Sequence, residues 1–188
     1  DGVYPLVLVI HGGAWSAGDK WQVQDHAREL AQAGFVTVAI NYRLAPKHDI
    51  SEQVENCRQA LLWAEQQADT WNADASRLAL WGYSAGGHLA AFVATSPQNG
   101  SPRVSAVVAG GTPCEFSFVP AQSQALAHVM GDTRQNRPEN YRKYSPLTHA
   151  TEDDCPIFFF HGTKDLLVPP SSSQMMYDKL CELDVACE

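Results

Sequence analysis

Runs of consecutive apolar residues alternate along this chain with segments whose apolar positions recur every three or four residues. Residues 6–10, Leu-Val-Leu-Val-Ile, form an unbroken run rich in β-branched side chains and bounded by Pro5 and Gly12-Gly13. Such a run predicts a strand buried on both faces, and therefore a parallel sheet. Residues 21–33 carry Ala27, Leu30 and Ala31 at helical spacing until Gly34 stops the helix. A second strand follows at 35–40, then a long helix at 51–68 with Val54, Cys57, Leu61, Leu62 and Ala64 on one side. A third strand, opening at Leu78, gives way through Gly82-Tyr-Ser-Ala-Gly86 to a helix of small residues running to Thr95. Further strands are predicted at 104–109 and 156–160, a helix at 171–183, and the opening of one more strand at 185–188. Strand and helix alternate as an α/β fold requires, giving a mostly parallel sheet with helices on both faces.

Residues 112–154 break this alternation. The segment is polar, contains Pro113, Pro120, Pro138 and Pro146, and has one modest helical patch at 122–130. A connection of that length is expected to serve as a lid or substrate-binding insertion. Nothing in the composition marks a linker, so residues 1–188 are expected to form a single domain. The 188 residues are 45% hydrophobic and 18% charged, which suits a packed core. A net charge of −8, with no run of Lys or Arg, argues against nucleic acid as a partner. No apolar run reaches membrane-spanning length. The five cysteines include no C-x-x-C pair and cannot all pair with one another, so buried free thiols are expected. Compartment and oligomeric state stay open, with the cytoplasm slightly favoured.

The candidate chemistry centres on Ser84. A G-x-S-x-G match gains meaning at a strand-to-helix switch, where glycines at 82 and 86 relieve crowding around a sharp turn. That geometry exposes the Ser84 hydroxyl as a nucleophile and aims the Ala85 N–H, at a helix N-terminus, toward a developing oxyanion. The plainer alternative is that Ser84 merely caps the helix. After the first strand, Gly12 and Gly13 open a loop whose backbone can approach a reacting centre closely. Gly12, Gly13, Ala14 and Ala85 are therefore the candidate oxyanion hole. Asp165 follows the 156–160 strand by five residues and is the candidate acid. Trp15 and Tyr83 are candidate substrate-binding residues, with Phe116 and Phe118 near them. No histidine–carboxylate cluster has the spacing of a zinc site, and neither metal nor cofactor is expected.

Four segments taken in order, His11-Gly-Gly-Ala-Trp15, Tyr42-Arg-Leu-Ala-Pro46, Gly82-Tyr-Ser-Ala-Gly-Gly-His-Leu-Ala90 and His161-Gly-Thr-Lys-Asp165, resemble the α/β-hydrolase esterases related to hormone-sensitive lipase. The first is also similar to the H-G-G-x-W form of arylformamidases and of the feruloyl and acetylxylan esterase branch. The resemblance implies an α/β-hydrolase fold and a serine hydrolase that cleaves small carboxylic esters of short acyl groups through an acyl-enzyme, without a cofactor. An arylformamidase or peptidase using the same triad is one alternative. Another is a catalytically degenerate binding module, because the base must follow Asp165 and no histidine follows His161. His11 belongs to the glycine loop, His26 and His48 are expected at the surface, His88 lies one turn beyond the elbow, and His128 and His149 fall in the insertion. The fold would thus lack its N-terminal strands and its last strand. Two strands are expected before Asp1 and a histidine within about 10–25 residues after Glu188, leaving the isolated 188-residue piece nearly inactive. Ile50-Ser51 and Asn56 stand where such esterases often carry Phe-Pro and Asp, which leaves the anchoring of that helix open.

Overall fold

Strand β1 (Tyr4–Ile10) sends Leu6, Leu8 and Ile10 to one face of the sheet and Val7 and Val9 to the other, and all five are buried. An unbroken apolar run takes this form when helices cover both faces. Full burial of each Leu or Ile contributes about 1.5–3 kcal/mol. The computed structural model describes residues 2–188.

A 3-10 turn (Lys20–Val23) and helix α1 (Gln24–Gln32) cover the Val7 and Val9 face through Val23, Ala27 and Leu30. Strand β2 (Val36–Ile40) leads to α2 (Ile50–Gln67), whose Val54, Cys57, Leu61 and Ala64 pack on the opposite face. Asp49 and Glu52 start α2 with a reciprocal capping box. Asn56 answers the question of anchoring: its Oδ1 accepts from the Arg43 backbone N–H at 3.1 Å and from Arg43 Nε at 3.0 Å. Strand β3 (Ala73–Tyr83) starts earlier than its apolar residues predict, because Tyr4 and Pro5 pair with Ala73 and Asp74 before a register shift. Helix α3 (Ala85–Thr95) and strand β4 (Ala106–Gly110) follow.

The insertion departs most from expectation. Instead of one helical patch it holds three short helices, α4 (Ala127–Met130), α5 (Pro138–Lys143) and α6 (Pro146–His149). The signal for the last two was present, since proline suits the first helical position, where no N–H partner is needed. Phe116, Met130, Tyr141 and Tyr144 join the main core, so the segment is packed against the body. Strand β5 (Ile157–Phe160) and α7 (Pro170–Glu182) complete the alternation, with Met176 and Leu180 buried in the same core. Residues 185–188 then run parallel to β5 through an Ile157–Cys187 bridge, the predicted opening of a strand.

The sheet order is β2-β1-β3-β4-β5, and every neighbouring pair is parallel. Tyr83, Gly110 and Phe160 stand in register at one edge, with Ile10 opposite Gly82. The loops after β1, β3, β4 and β5 therefore emerge together, as in the expected α/β-hydrolase architecture. Among the described residues no helix is long and apolar enough to cross a membrane.

Candidate active site

Strand β3 ends at Tyr83 and α3 begins at Ala85, so Ser84 makes the turn by itself. Its backbone sits at φ 54° and ψ −121°, a conformation that costs a residue with a Cβ about 1–3 kcal/mol. The Ser84 N–H donates to Gly110 O at 2.8 Å, and its carbonyl accepts from the His88 N–H at 2.9 Å. Close packing beneath the turn requires glycine at 86, where a Cβ would lie 2.1 Å from Ile10 O. Ser84 is half-exposed and its hydroxyl does not cap α3. Strain without a capping bond is what a presented nucleophile requires.

The loop after β1 coils tightly, with successive positive φ angles of 114° at Gly13, 50° at Ala14 and 59° at Trp15. The Ser16 and Ala17 N–H groups both donate to Gly13 O at 3.0 Å. The N–H groups of Gly13, Ala14 and Ala85 have no acceptor among the described residues. Gly12 lies directly against the elbow: a Cβ there would be 2.9 Å from Tyr83 O and 3.5 Å from Ser84 Cβ. Free backbone donors thus sit beside the serine, the arrangement that stabilises an oxyanion.

Several side chains hold this loop. Trp15 is only 5% exposed, and its indole N–H donates to His88 Nδ1 at 3.2 Å. His88 Nε2 lies 2.7 Å from Tyr144 O, so the ring is the neutral tautomer with its proton on Nε2. Burial is the larger influence on His88 and lowers its pKa to about 4. The Trp15 carbonyl accepts from Gln53 Nε2 at 2.9 Å and from the Ala45 N–H at 3.0 Å. Tyr42 stacks on His11 with ring centroids 4.4 Å apart, and its hydroxyl donates to His11 O at 3.1 Å. Desolvation lowers the His11 pKa as well.

Asp165 occupies the turn after β5. Its Oδ1 accepts from the Leu167 N–H at 2.9 Å and the Val168 N–H at 3.0 Å. The Val168 N–H is the chief cause of a carboxyl pKa held below its usual value. Oδ2 is 3.6 Å from His161 Nε2, which itself lies 2.9 Å from Val168 O. Ser84 and Asp165 leave the same sheet edge from strands two positions apart, about 10 Å at their ends. That gap suits a group placed between them.

Each of the seven histidines makes contacts of its own. His11 and His88 are buried beneath the loop, and His26 is exposed on α1 against Trp81. His48 pairs with Glu52, and His161 bonds Ser173 Oγ at 2.7 Å. His149 faces Phe92, with Nε2 2.6 Å from Lys143 O. His128 comes nearest the loop, with Nε2 2.8 Å from Ser16 Oγ. Of the two candidate substrate contacts, Tyr83 is 45% exposed beside Phe160, whereas Trp15 is interior to the loop. Sequence reasoning did not find Gln53 or Tyr144, because one contributes through a helix face and the other only through its carbonyl. The thiols were expected to be buried, which holds for Cys57 and Cys114, but Cys181 is exposed.

The BD-FAE family matches residues 1–180 of the chain. The chain belongs to that family. As a BD-FAE protein it is an α/β-hydrolase of the esterase group related to hormone-sensitive lipase. Among curated relatives, this BD-FAE chain is 31% identical to a probable carboxylic ester hydrolase, LipM, of Mycobacterium tuberculosis, over 95% of its own length and 45% of LipM. It is 26% identical to the isoprenylcysteine alpha-carbonyl methylesterase ICME of Arabidopsis thaliana, across 96% of the chain and 47% of ICME. It thus spans about half the length of these relatives. In fold it matches a truncated carbohydrate esterase from gut microbiota with a TM-score of 0.91 at 22% identity, covering 100% of this chain and 76% of that one.

Proposed function

We propose that this BD-FAE chain carries the nucleophile, the oxyanion hole and the acid of a serine hydrolase acting on small carboxylic esters. The observation that carries the proposal is Ser84, uncapped and strained at φ 54°, against a loop whose Gly13 and Ala14 N–H groups are free. Ser84 Oγ attacks the acyl carbon and its proton passes to an imidazole. The tetrahedral oxyanion takes hydrogen bonds from Gly13, Ala14 and Ala85, and the leaving alcohol receives the proton. Water then repeats the sequence on the acyl-enzyme. Asp165, held ionised by its backbone donors, orients the imidazole. Residues 112–154 form the wall of the substrate pocket, a role supported by the contact of His128 with Ser16.

A fluorophosphonate probe applied to the complete protein tests this, with peptide mapping of the adduct and turnover of p-nitrophenyl acetate as readouts. Labelling at Ser84 and ester hydrolysis, both abolished in Ser84→Ala, are expected. A folded complete protein that leaves Ser84 unlabelled overturns the proposal. Faster turnover of N-formylkynurenine than of the ester would shift the substrate to a formamide.

A further inference from the structure

Helix α7 ends in a Schellman motif. Asp184 adopts the left-handed conformation at φ 57° and its N–H donates to Cys181 O at 3.2 Å, while the Val185 N–H donates to Leu180 O at 3.0 Å. The reversal sends residues 185–188 back beside β5, where the Phe159 N–H donates to Glu188 O at 2.6 Å. Val185 anchors the return in the core. Cys187 is thereby carried onto Cys181, and the two sulfur atoms stand 2.9 Å apart. Cys181 is exposed and Cys187 half-buried, whereas Cys57 and Cys114 are fully enclosed.

We propose that Cys181 and Cys187 are a redox pair that closes to an intramolecular disulfide and fastens the 185–188 segment to α7. The chain needs little movement, since the sulfurs approach from 2.9 Å to a bond of about 2.05 Å. The oxidant is a small-molecule disulfide such as oxidised glutathione. The Cys181 thiolate attacks one of its sulfurs, the glutathione S–S bond breaks, and one glutathione thiolate leaves. The Cys187 thiol gives its proton to solvent, and its sulfur displaces the second glutathione thiolate from Cys181. Two electrons pass from the protein to glutathione, and two glutathione thiols result. Burial first, then the contact with Cys181, push the Cys187 thiol up to about 11, which makes exposed Cys181 the point of entry. Because Cys187 bridges Ile157 of β5, the bond ties together the strand that leads to Asp165 and the helix that follows it.

The test is to incubate the purified chain with excess oxidised glutathione, quench in acid, unfold it and titrate thiols, with unreduced peptide mapping in parallel. Titratable thiols are expected to fall from five to three, with a single linked peptide joining Cys181 to Cys187. Cys181→Ser and Cys187→Ser should each abolish the link, and Cys155→Ser should leave it intact. Retention of five thiols, a lasting glutathione adduct on Cys181, or a link that includes Cys155 overturns the proposal.

Discussion

Replacing Ser84 by glycine separates the geometry of the elbow from its chemistry. At φ 54° and ψ −121° the serine Cβ is strained by about 1–3 kcal/mol, and glycine removes that strain. Glycine also loosens the unfolded chain, which offsets about 0.5–1 kcal/mol of the gain. No capping bond is lost, because the Ser84 hydroxyl makes none to α3. The net expectation is a chain more stable by about 1 kcal/mol, or about 2–4 °C in Tm for a domain of this size. Ser84→Ala keeps the Cβ and the strain, so it should stay within about 0.5 kcal/mol of the parent. Urea unfolding of the three proteins, followed by fluorescence of the five tryptophans, measures the difference. Both variants of the complete protein should lack ester turnover. A glycine variant less stable than the alanine variant would show that the turn is not strained, and the account of Ser84 as a presented nucleophile would lose its physical basis.

Gly86→Ala places a methyl group 2.1 Å from Ile10 O and 2.6 Å from His11 O, both backbone atoms, and should destabilise by about 3 kcal/mol or more. A loss of unfolding free energy under about 1 kcal/mol would mean that β1 and α3 are not in such close contact. Asp165→Asn in the complete protein should lower kcat by about 10⁴, and a loss below about tenfold would move the acid elsewhere. His88 makes stability depend on pH. Above 6.5 both states are neutral, and between 6.5 and about 4 only the unfolded chain takes up the proton. Stability should therefore fall with falling pH by about 1.4 kcal/mol per unit, about 3 kcal/mol in all. His11 titrates in the same direction, so His88→Gln isolates the effect: the variant should lose correspondingly less stability between pH 7 and pH 4, and an unchanged pH profile would refute it.

Much of the fold was legible because it rests on short-range patterns. The run at 6–10 can be satisfied only by a strand covered on both sides, and β1 is such a strand. The elbow was equally plain, since a sharp turn between strand and helix demands small neighbours at 82 and 86 whatever the rest of the chain does. Asp49-x-x-Glu52 and the prolines opening α5 and α6 were local signals too, although the polar composition of the insertion masked the helices. The support of the site was different in kind. Trp15 reaches His88 across 73 residues, His88 reaches Tyr144 across 56, and Gln53 reaches Trp15 across 38. A tryptophan after two glycines suggested a surface for substrate; the structure instead places its ring in the core as the anchor of the loop. Local propensity cannot specify such bonds, because each depends on which loops the sheet order β2-β1-β3-β4-β5 brings to one edge. The residues determined the elements and the sharp turn at Ser84. Only the packed sheet and insertion decided what holds the loop after β1, since a buried imidazole takes its tautomer from whichever distant donor and acceptor the fold sets against it.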